Sequence, residues 1–259
     1  MLRLVNVSKT YAKARKPAVD SLSMDVRDGE LYGFIGPNGA GKTTTIKIIT
    51  GILSPGNGEV WVNGRRMNGS QDEQLEAKRA LGYVPDAQDA YDRLTGLEYL
   101  GFMADMYRVS RESRKRDIEK YTEMFELAGA LRDPVRGYSR GMKQKLTIIG
   151  SLLHDPKLFI LDEPMVGLDP HSARLLKNIM KDRCERGGTV FFSTHVLDVA
   201  ERLCDRIGII NQGKLIAEGT LDELTETRRM AGLEGASLEQ LFLELTGDAL
   251  VNGDAVPMA

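Results

Sequence analysis

The stretch Gly36-Pro37-Asn38-Gly39-Ala40-Gly41-Lys42-Thr43 decides the fold, because it matches the phosphate-loop pattern GxxxxGK[ST]. It follows the continuous apolar run Leu31–Ile35, which predicts a buried strand. It precedes Thr44–Thr50, which predicts a helix. A glycine-rich turn without a ligand is the alternative, but the strand and the helix supply the context that a phosphate loop requires.

The chemistry of such a loop assigns its residues. Glycines let successive backbone N–H groups turn inward around phosphate oxygens, and the positive end of a helix attracts the same anion. We expect Lys42 to reach the β and γ phosphates and the Thr43 hydroxyl to bind Mg²⁺. The predicted nucleotide-binding residues are Gly36, Asn38, Gly39, Ala40, Gly41, Lys42, Thr43 and Thr44.

Further apolar runs extend the predicted sheet. Leu158–Leu161 and Thr189–Ser193 are continuous apolar runs that close on polar residues, and helical patterns separate them. Such runs predict a parallel sheet covered on both faces, hence an α/β fold. The alternating residues near the N-terminus (Leu2, Leu4, Val7, Leu22, Met24 and Val26) predict a small antiparallel sheet. Ile207–Ala217, with Asn211-Gln212-Gly213 between apolar runs, predicts a hairpin.

Three amphipathic stretches between these strands predict an inserted helical subdomain: Leu97–Tyr107, Arg111–Leu127 and Met142–Leu153. The chain of 259 residues then divides into a discontinuous core of residues 1–85 and 151–220, an insert of residues 86–150 and a C-terminal extension of residues 221–259. A short helix is predicted in the extension, at Leu238–Leu245.

Composition excludes several classes of protein. With 35 basic and 37 acidic residues the formal charge is −2, so no field of one sign attracts nucleic acid or an anionic membrane. The mixed charges of Arg108–Lys120 fit a solvated helix face. No apolar run approaches the roughly 20 residues of a membrane span, and Cys184 and Cys204 have no metal-binding spacing. These features predict a cytosolic protein without a nucleic-acid partner.

Two carboxylates follow the second buried strand. Asp162 and Glu163 end the run Leu158-Phe159-Ile160-Leu161-Asp162-Glu163, and a parallel sheet presents ligands at that edge. Asp162 is predicted to hold Mg²⁺ through water, and Glu163 to orient and deprotonate the attacking water. Acidic residues after a strand also serve as helix N-caps; the phosphate loop favours the catalytic interpretation.

A second helix start of anion-binding type lies in Tyr138-Ser139-Arg140-Gly141-Met142-Lys143-Gln144. The alternative is a simple serine N-cap. The order of features is informative: phosphate loop, helical insert, serine-glycine helix start, two carboxylates, Gly167-Leu168-Asp169, and His195 at the end of the next strand.

That order resembles the ATP-binding subunit of ABC transporters, over nearly the whole chain. The resemblance implies an α/β, RecA-like core with a small antiparallel subdomain and an inserted helical subdomain, and ATP and Mg²⁺ as cofactors. It also implies a head-to-tail homodimer and a separate transmembrane permease at the cytosolic face of the cell membrane. One chain's signature residues (Ser139, Arg140, Gly141 and Met142) would then close over ATP held by the other chain.

The same resemblance implies roles for single residues. Tyr11 would stack on adenine with Val19 beside it, and Asp169 would lie in the loop that crosses the dimer interface. His195 would contact the γ-phosphate and join Glu163 and Lys42 as a catalytic residue, although a histidine after a strand is often only structural.

Two motifs depart from the family pattern. The usual signature is LSGGQ, so Arg140 replaces its first glycine and Met142 its glutamine. In Gly82-Tyr83-Val84-Pro85-Asp86 the family usually has glutamine where this chain has Asp86. An aspartate still binds Mg²⁺ through water, and Gln88 is the alternative substitute for the missing glutamine.

The form of the signature and the C-terminal stretch resemble the branch of the family that exports drugs, peptides or polysaccharides. One alternative is a soluble ABC ATPase acting on ribosomes or DNA, but such proteins usually carry two cassettes or a long coiled coil. A cassette that only senses ATP is a second alternative, against which Glu163 and His195 argue.

Overall fold

Two β-sheets and the helices packed on them make up the part of the chain that the computed structural model describes, which is residues 1–12, 14–86, 92–230 and 242. The strands are β1 (Leu2–Lys9), β2 (Val19–Val26), β3 (Leu31–Ile35), β4 (Asn57–Val62), β5 (Arg65–Arg66), β6 (Leu81–Val84), β7 (Leu158–Asp162), β8 (Thr189–Thr194), β9 (Arg206–Asn211) and β10 (Lys214–Gly219). The helices are α1 (Lys42–Ile49), α2 (Gln71–Arg79), α3 (Gly96–Met106), α4 (Arg111–Met124), α5 (Arg140–Leu152), α6 (Pro170–Glu185), α7 (Leu197–Leu203) and α8 (Leu221–Met230). None of the described helices is long and apolar enough to cross a membrane.

The larger sheet carries the phosphate loop. Its strand order is β10-β9-β3-β8-β7-β6, with all neighbours parallel except the hairpin β9–β10. Every residue of β3, β7 and β8 is buried, because helices cover both faces of these strands. The predicted parallel sheet and the late hairpin are therefore confirmed.

The smaller sheet is antiparallel, in the order β2-β1-β4-β5. Leu2 pairs with Val26 and Leu4 with Met24, which confirms the predicted pairing of the first two strands. The strands β4 and β5 were not predicted from the sequence. β4 begins within the glycine-rich stretch 56–58 and pairs with β1, and β5 pairs with β4.

The helical insert packs on the sheet through one apolar cluster, in which Leu100 of α3 and Leu146 of α5 join Phe159 of β7. Its predicted helices are present with shifted ends. The fourth helix ends at Met124 and not at Leu127, because Glu126 adopts a left-handed φ of 55°. The fifth begins two residues earlier than Met142, because the Ser139 side chain caps it.

Two other expectations for helices have different outcomes. The helix after the phosphate loop begins at Lys42 and not at Thr44, since Gly41 is its N-cap. The helix predicted at Leu238–Leu245 lies outside the described residues apart from Phe242, which is buried against a cluster that contains Ile207 and Leu224.

Candidate nucleotide site

The carboxyl ends of β3, β7 and β8 meet at one edge of the larger sheet, next to the start of α1. A concavity of about 210 Å³ opens there. Its lining residues are Ala18, Pro37, Asn38, Gly39, Gly41, Lys42, Thr43, Thr44, Asp86 and Glu163. The structure thus brings the predicted phosphate loop together with one of the two carboxylates and with Asp86, as expected for the ligand edge of a parallel sheet.

The loop between β3 and α1 depends on glycine at two places. Gly39 has a φ of 80° and nothing within 4 Å of where a side chain would begin, so backbone alone faces the concavity. Gly41 has a φ of 113°, and any side chain there would collide with the carbonyl oxygen of Ala18. The loop is shaped to present N–H groups to an anion at the positive end of α1.

Lys42 is held over the loop. Its Nζ donates hydrogen bonds to the carbonyl oxygens of Gly36 at 2.6 Å and Pro37 at 3.3 Å. It also lies 3.4 Å from Oε1 of Glu163. Lys42 is 6% exposed, so its ammonium group is buried between the loop carbonyl oxygens and Glu163.

Asp162 is the buried carboxylate of the site. Its Oδ1 accepts a hydrogen bond of 2.6 Å from the Ser193 hydroxyl, whereas its Oδ2 is buried without a partner among the described residues. Burial raises the pKa of Asp162, and the neighbouring Ser193 and Thr43 hydroxyls oppose that rise. An unpartnered carboxylate oxygen beside the Thr43 hydroxyl is a donor set that fits Mg²⁺.

Glu163 stands next to it in a strained backbone conformation, with a φ of 48°. Its N–H donates to the Ser193 hydroxyl at 3.0 Å. Its Oε2 lies 3.0 Å from Nδ1 of His195, whose side chain is half exposed. The structure therefore joins Lys42, Glu163 and His195, the three residues predicted to be catalytic, through the carboxylate of Glu163.

Sequence reasoning missed Ser193, which supports both carboxylates. A signal was present, because Ser193 ends a predicted strand and pairs in register with Asp162. The polar ends of neighbouring parallel strands meet at one edge.

The two residues predicted to contact adenine, Tyr11 and Val19, differ in exposure. The Tyr11 hydroxyl is 3.3 Å from the Thr44 hydroxyl and the residue is 45% exposed, so its ring is free to take a base. Val19 is fully buried in the core although it is out of step with Leu22 and Met24, because the alternation of β2 is interrupted at Ser21, which has a left-handed φ of 53°. Ala18, and not Val19, is among the described residues that line the concavity. The role of Val19 beside adenine stays a prediction.

The signature residues lie at the start of α5. The Ser139 hydroxyl caps the helix by accepting from the Met142 N–H at 3.2 Å. A side chain at Gly141 would come within 2.8 Å of the Gly167 carbonyl oxygen, so α5 packs directly on the loop that contains Asp169. Asp169 in turn caps α6 and pairs with Lys145 at 2.8 Å.

These signature residues and Asp169 are absent from the described lining of the chain's own concavity. Arg140 alone reaches that rim, where its Nη2 is 3.5 Å from Oδ1 of Asp86. The predicted site residues therefore lie in two separate parts of the chain: the phosphate loop with its carboxylates, and the start of α5 with the adjoining loop.

A phosphate loop on a parallel sheet, with an aspartate and a glutamate at the end of another strand of that sheet, defines a P-loop nucleotide-binding protein. Residues 19–166 match the family model described as ABC transporter, and the chain belongs to this family. ABC ATP-binding domains are ATPases, so the protein is an ATP-binding, ATP-hydrolysing subunit of a transporter.

Curated relatives agree with this assignment. The linearmycin resistance ATP-binding protein LnrL of Bacillus subtilis (strain 168) is 38% identical over 224 residues, covering 86% of this chain and 70% of the relative. The Nod factor export ATP-binding protein I of Rhizobium meliloti is 37% identical over 216 residues, covering 83% of this chain and 63% of the relative.

Solved structures share the fold. The structure of an ATP-binding subunit of an ABC transporter is 36% identical, with a TM-score of 0.87 over 95% of this chain and 99% of the other. The ATP-binding cassette MJ0796, solved as a dimer in a post-hydrolysis state bound to ADP and Pi, is 27% identical, with a TM-score of 0.78 over 85% of this chain and 99% of the other. These neighbours confirm the expected RecA-like P-loop fold.

Proposed function

We propose that this chain hydrolyses ATP to drive an exporter, with two copies closing head to tail around ATP and Mg²⁺ and with a separate permease at the cytosolic face of the membrane. The observation that carries the proposal is the cluster of Lys42, Glu163 and His195 at the phosphate loop. Beside it lies the unpartnered Oδ2 of Asp162. This arrangement supplies a phosphate ligand, a base and a metal ligand at one edge of the sheet.

The roles of the residues follow from their positions. The loop from Gly36 to Thr44 holds the phosphates, and Lys42 leaves Glu163 for the γ-phosphate when ATP enters. Glu163 then orients a water molecule and takes its proton, while His195 holds the Glu163 carboxylate in place through the 3.0 Å contact. Tyr11 stacks on the base.

Mg²⁺, held by Thr43 and Asp162 with Asp86 reaching it through water, would neutralise charge on the β and γ phosphates. The chain's part is to fix the oxygens that face the ion. Ser193 does so for Asp162 by donating to its Oδ1, which leaves Oδ2 without a partner among the described residues and open to the ion.

A second copy completes the site in this proposal. Ser139 is exposed at the start of α5 and does not line its own concavity, so its capping hydroxyl is available to an anion on another molecule. The MJ0796 cassette has been solved as a dimer, which supports such pairing. Asp169 lies on the adjoining loop, where it would meet the partner.

We assign the division of the chain on the same basis. Residues 1–85 and 151–220 carry the nucleotide-binding parts, and residues 86–150 carry α3, α4 and most of α5. Residues 221–259 form the C-terminal extension.

Export is proposed because one relative is named for Nod factor export and shares 37% of the aligned residues. The alternative is an ABC ATPase that acts on ribosomes or DNA. Stimulation of the ATPase by a co-expressed permease would support the proposal. Stimulation by ribosomes or DNA would contradict it.

Replacing the base tests the reaction. We expect Glu163→Gln to lower steady-state ATPase activity by about 10²- to 10⁴-fold, the usual contribution of a general base, or about 3–5 kcal/mol of barrier. ATP binding, measured by calorimetry, should persist, because the phosphate loop is unchanged. The matched control Glu119→Gln changes an exposed glutamate of α4 and should behave as the parent does. A Glu163→Gln variant with ATPase activity within threefold of the parent's would contradict the assignment of Glu163 as the general base.

A further inference from the structure

Two of the positions where the chain departs from the usual family motifs face each other. Arg140, at the first glycine of the signature, lies 3.5 Å from Asp86, at the position of the usual glutamine, measured from Nη2 to Oδ1. Asp86 lines the nucleotide concavity, and Arg140 is the first residue of α5. The two substitutions are therefore in contact and have opposite charges.

Local physics disfavours an arginine at that place. The N-terminus of a helix is its positive end, and the first turn of α5 contains no acidic residue to offset a cation. The side chain of Arg140 runs past Gly167. A Cβ atom at position 167 would lie 3.5 Å from the Cγ, Cδ and Nε atoms of Arg140. Arg140 thus crosses over Gly167 to reach the carboxylate of Asp86. This indicates that a tertiary contact, and not the local preference of the helix start, explains an arginine at this position.

The negative charge of Asp86 is also unfavourable at its position. Its charge lies close enough to Asp162 to raise the pKa of that carboxyl, after the larger effect of burial. At the rim of a triphosphate site, an unpaired carboxylate repels the ligand unless a cation stands between them. A guanidinium 3.5 Å away supplies that compensation.

We propose that Arg140 is a positioning residue for nucleotide binding: it holds Asp86 at the rim of its own chain's site and neutralises its charge. Because Ser139 and Gly141 flank Arg140, the same short segment that is offered to the partner's ATP is tied to the chain's own site. This inference rests on the proposed function, and it assigns a joint role to Arg140 and Asp86, two of the departures from the family motifs.

A second ion pair on the same helix provides a matched control. Lys143, one turn further along α5, pairs with Asp92 at 2.7 Å. Neither residue is among the described residues that line the nucleotide concavity. Lys143→Ala therefore removes a cation from α5 without removing compensation from Asp86.

The test measures affinity for the non-hydrolysable ATP analogue AMPPNP by calorimetry, with Mg²⁺ and with EDTA. Arg140→Ala should weaken metal-free binding about two- to fivefold, the size expected from one exposed ion pair. With Mg²⁺ the loss of affinity should be smaller, because the freed Asp86 carboxylate attracts the cation. The ratio of the affinity with Mg²⁺ to the affinity with EDTA should therefore rise. Lys143→Ala should keep the parent's ratio.

Double replacement shows whether the effect passes through Asp86. Asp86→Asn combined with Arg140→Ala should return metal-free affinity to within about twofold of the parent, since neither charge remains. Arg140→Lys keeps a cation and should hold the ratio near the parent's. Thermal unfolding of each variant verifies that it is folded.

The outcomes separate this inference from the function on which it rests. A parent chain that does not bind AMPPNP would contradict the proposed function. A parent that binds, with Arg140→Ala showing the ratio of Lys143→Ala, would contradict the role of Arg140 alone. A loss that persists in the double variant would equally overturn it, because it would show an effect independent of Asp86.

Discussion

At the scale of single residues, Asp162 is a buried carboxylate that is expected to lower the stability of the nucleotide-free protein. The carboxylate is 1% exposed, with one oxygen bonded to Ser193 and the other without a partner among the described residues. Burying a charge in this way is unfavourable unless a cation or a donor compensates it.

Asp162→Asn should therefore stabilise the nucleotide-free protein. The amide removes the buried charge and still accepts the hydrogen bond from Ser193. We expect a gain of about 1 kcal/mol, or roughly 2–4 °C in Tm for a chain of this size. The additional stabilisation that Mg²⁺ gives in the presence of ADP should be lost. Both effects are measured by thermal unfolding.

The control for this comparison is Asp25→Asn, which changes an exposed aspartate of β2 and should leave Tm and the Mg²⁺ effect nearly unchanged. An Asp162→Asn protein that melts below the parent, or that retains the full Mg²⁺ effect, would contradict the account of Asp162.

At the scale of elements, α4 and α5 both begin with a serine N-cap, but only the serine of α5 is proposed to contact ATP held by a second copy. Ser139 accepts from the Met142 N–H at the start of α5, and Ser110 accepts from the Ser113 N–H at the start of α4, both at 3.2 Å. Ser139→Ala and Ser110→Ala should each lower the free energy of unfolding by about 1 kcal/mol. Only Ser139→Ala should abolish ATP-dependent dimerisation.

The measurement is sedimentation of each variant in a Glu163→Gln background, with ATP and without. A Ser139→Ala chain that still dimerises would remove the serine from the proposed interface. Loss of dimerisation in Ser110→Ala would show that the assay reports helix stability and not a contact with ATP.

Elements with strong local signals could be predicted from the sequence. The runs that became β3, β7 and β8 were identified within one residue, because burial on both faces gives an unbroken apolar stretch. The helix α2 was not identified, although Ser70 and Glu73 form a capping box at its start. Its single buried residue, Ala77, gives no apolar periodicity to find.

At the scale of the whole molecule, His154 connects the helical insert to the sheet. It follows α5, stacks on Tyr107 at the end of α3 with ring centroids 3.6 Å apart, and bonds the Leu81 carbonyl of β6 through Nε2 at 2.8 Å. Burial lowers the pKa of His154 from 6.5 to about 4, and the bond to Leu81 opposes this shift.

This shift predicts a loss of stability in mild acid. Between pH 6.5 and pH 4 the unfolded chain protonates His154 and the folded chain does not, so the free energy of unfolding falls as pH falls. From pH 7.5 to pH 5 the loss due to this group is about 2 kcal/mol. Urea unfolding at pH 7.5 and at pH 5 measures this loss. The decrease in the free energy of unfolding should be smaller by about 2 kcal/mol in His154→Asn than in the parent. A variant whose stability falls as steeply as the parent's would contradict this origin of the acid sensitivity.

Long-range pairing marks the limit of what the sequence could predict about the site. The phosphate loop, the two carboxylates and His195 follow from strand ends, which local patterns locate. The contact between Asp86 and Arg140 joins residues far apart in sequence, and no local pattern specifies that a side chain crosses Gly167 to reach the rim. The burial of Val19 could not be predicted either, because no local pattern specifies the left-handed Ser21 that interrupts the alternation of β2.

The backbone of Glu163 has a consequence for laboratory evolution. A left-handed conformation costs a residue with a side chain about 1–2 kcal/mol, and glycine adopts it freely. Glycine at position 163 would remove this cost, but it would also remove the carboxylate that pairs with the buried Lys42 and contacts His195. Selection for heat resistance in this protein therefore needs a simultaneous requirement for ATP hydrolysis, because the residue proposed as its base is also held in a strained backbone conformation.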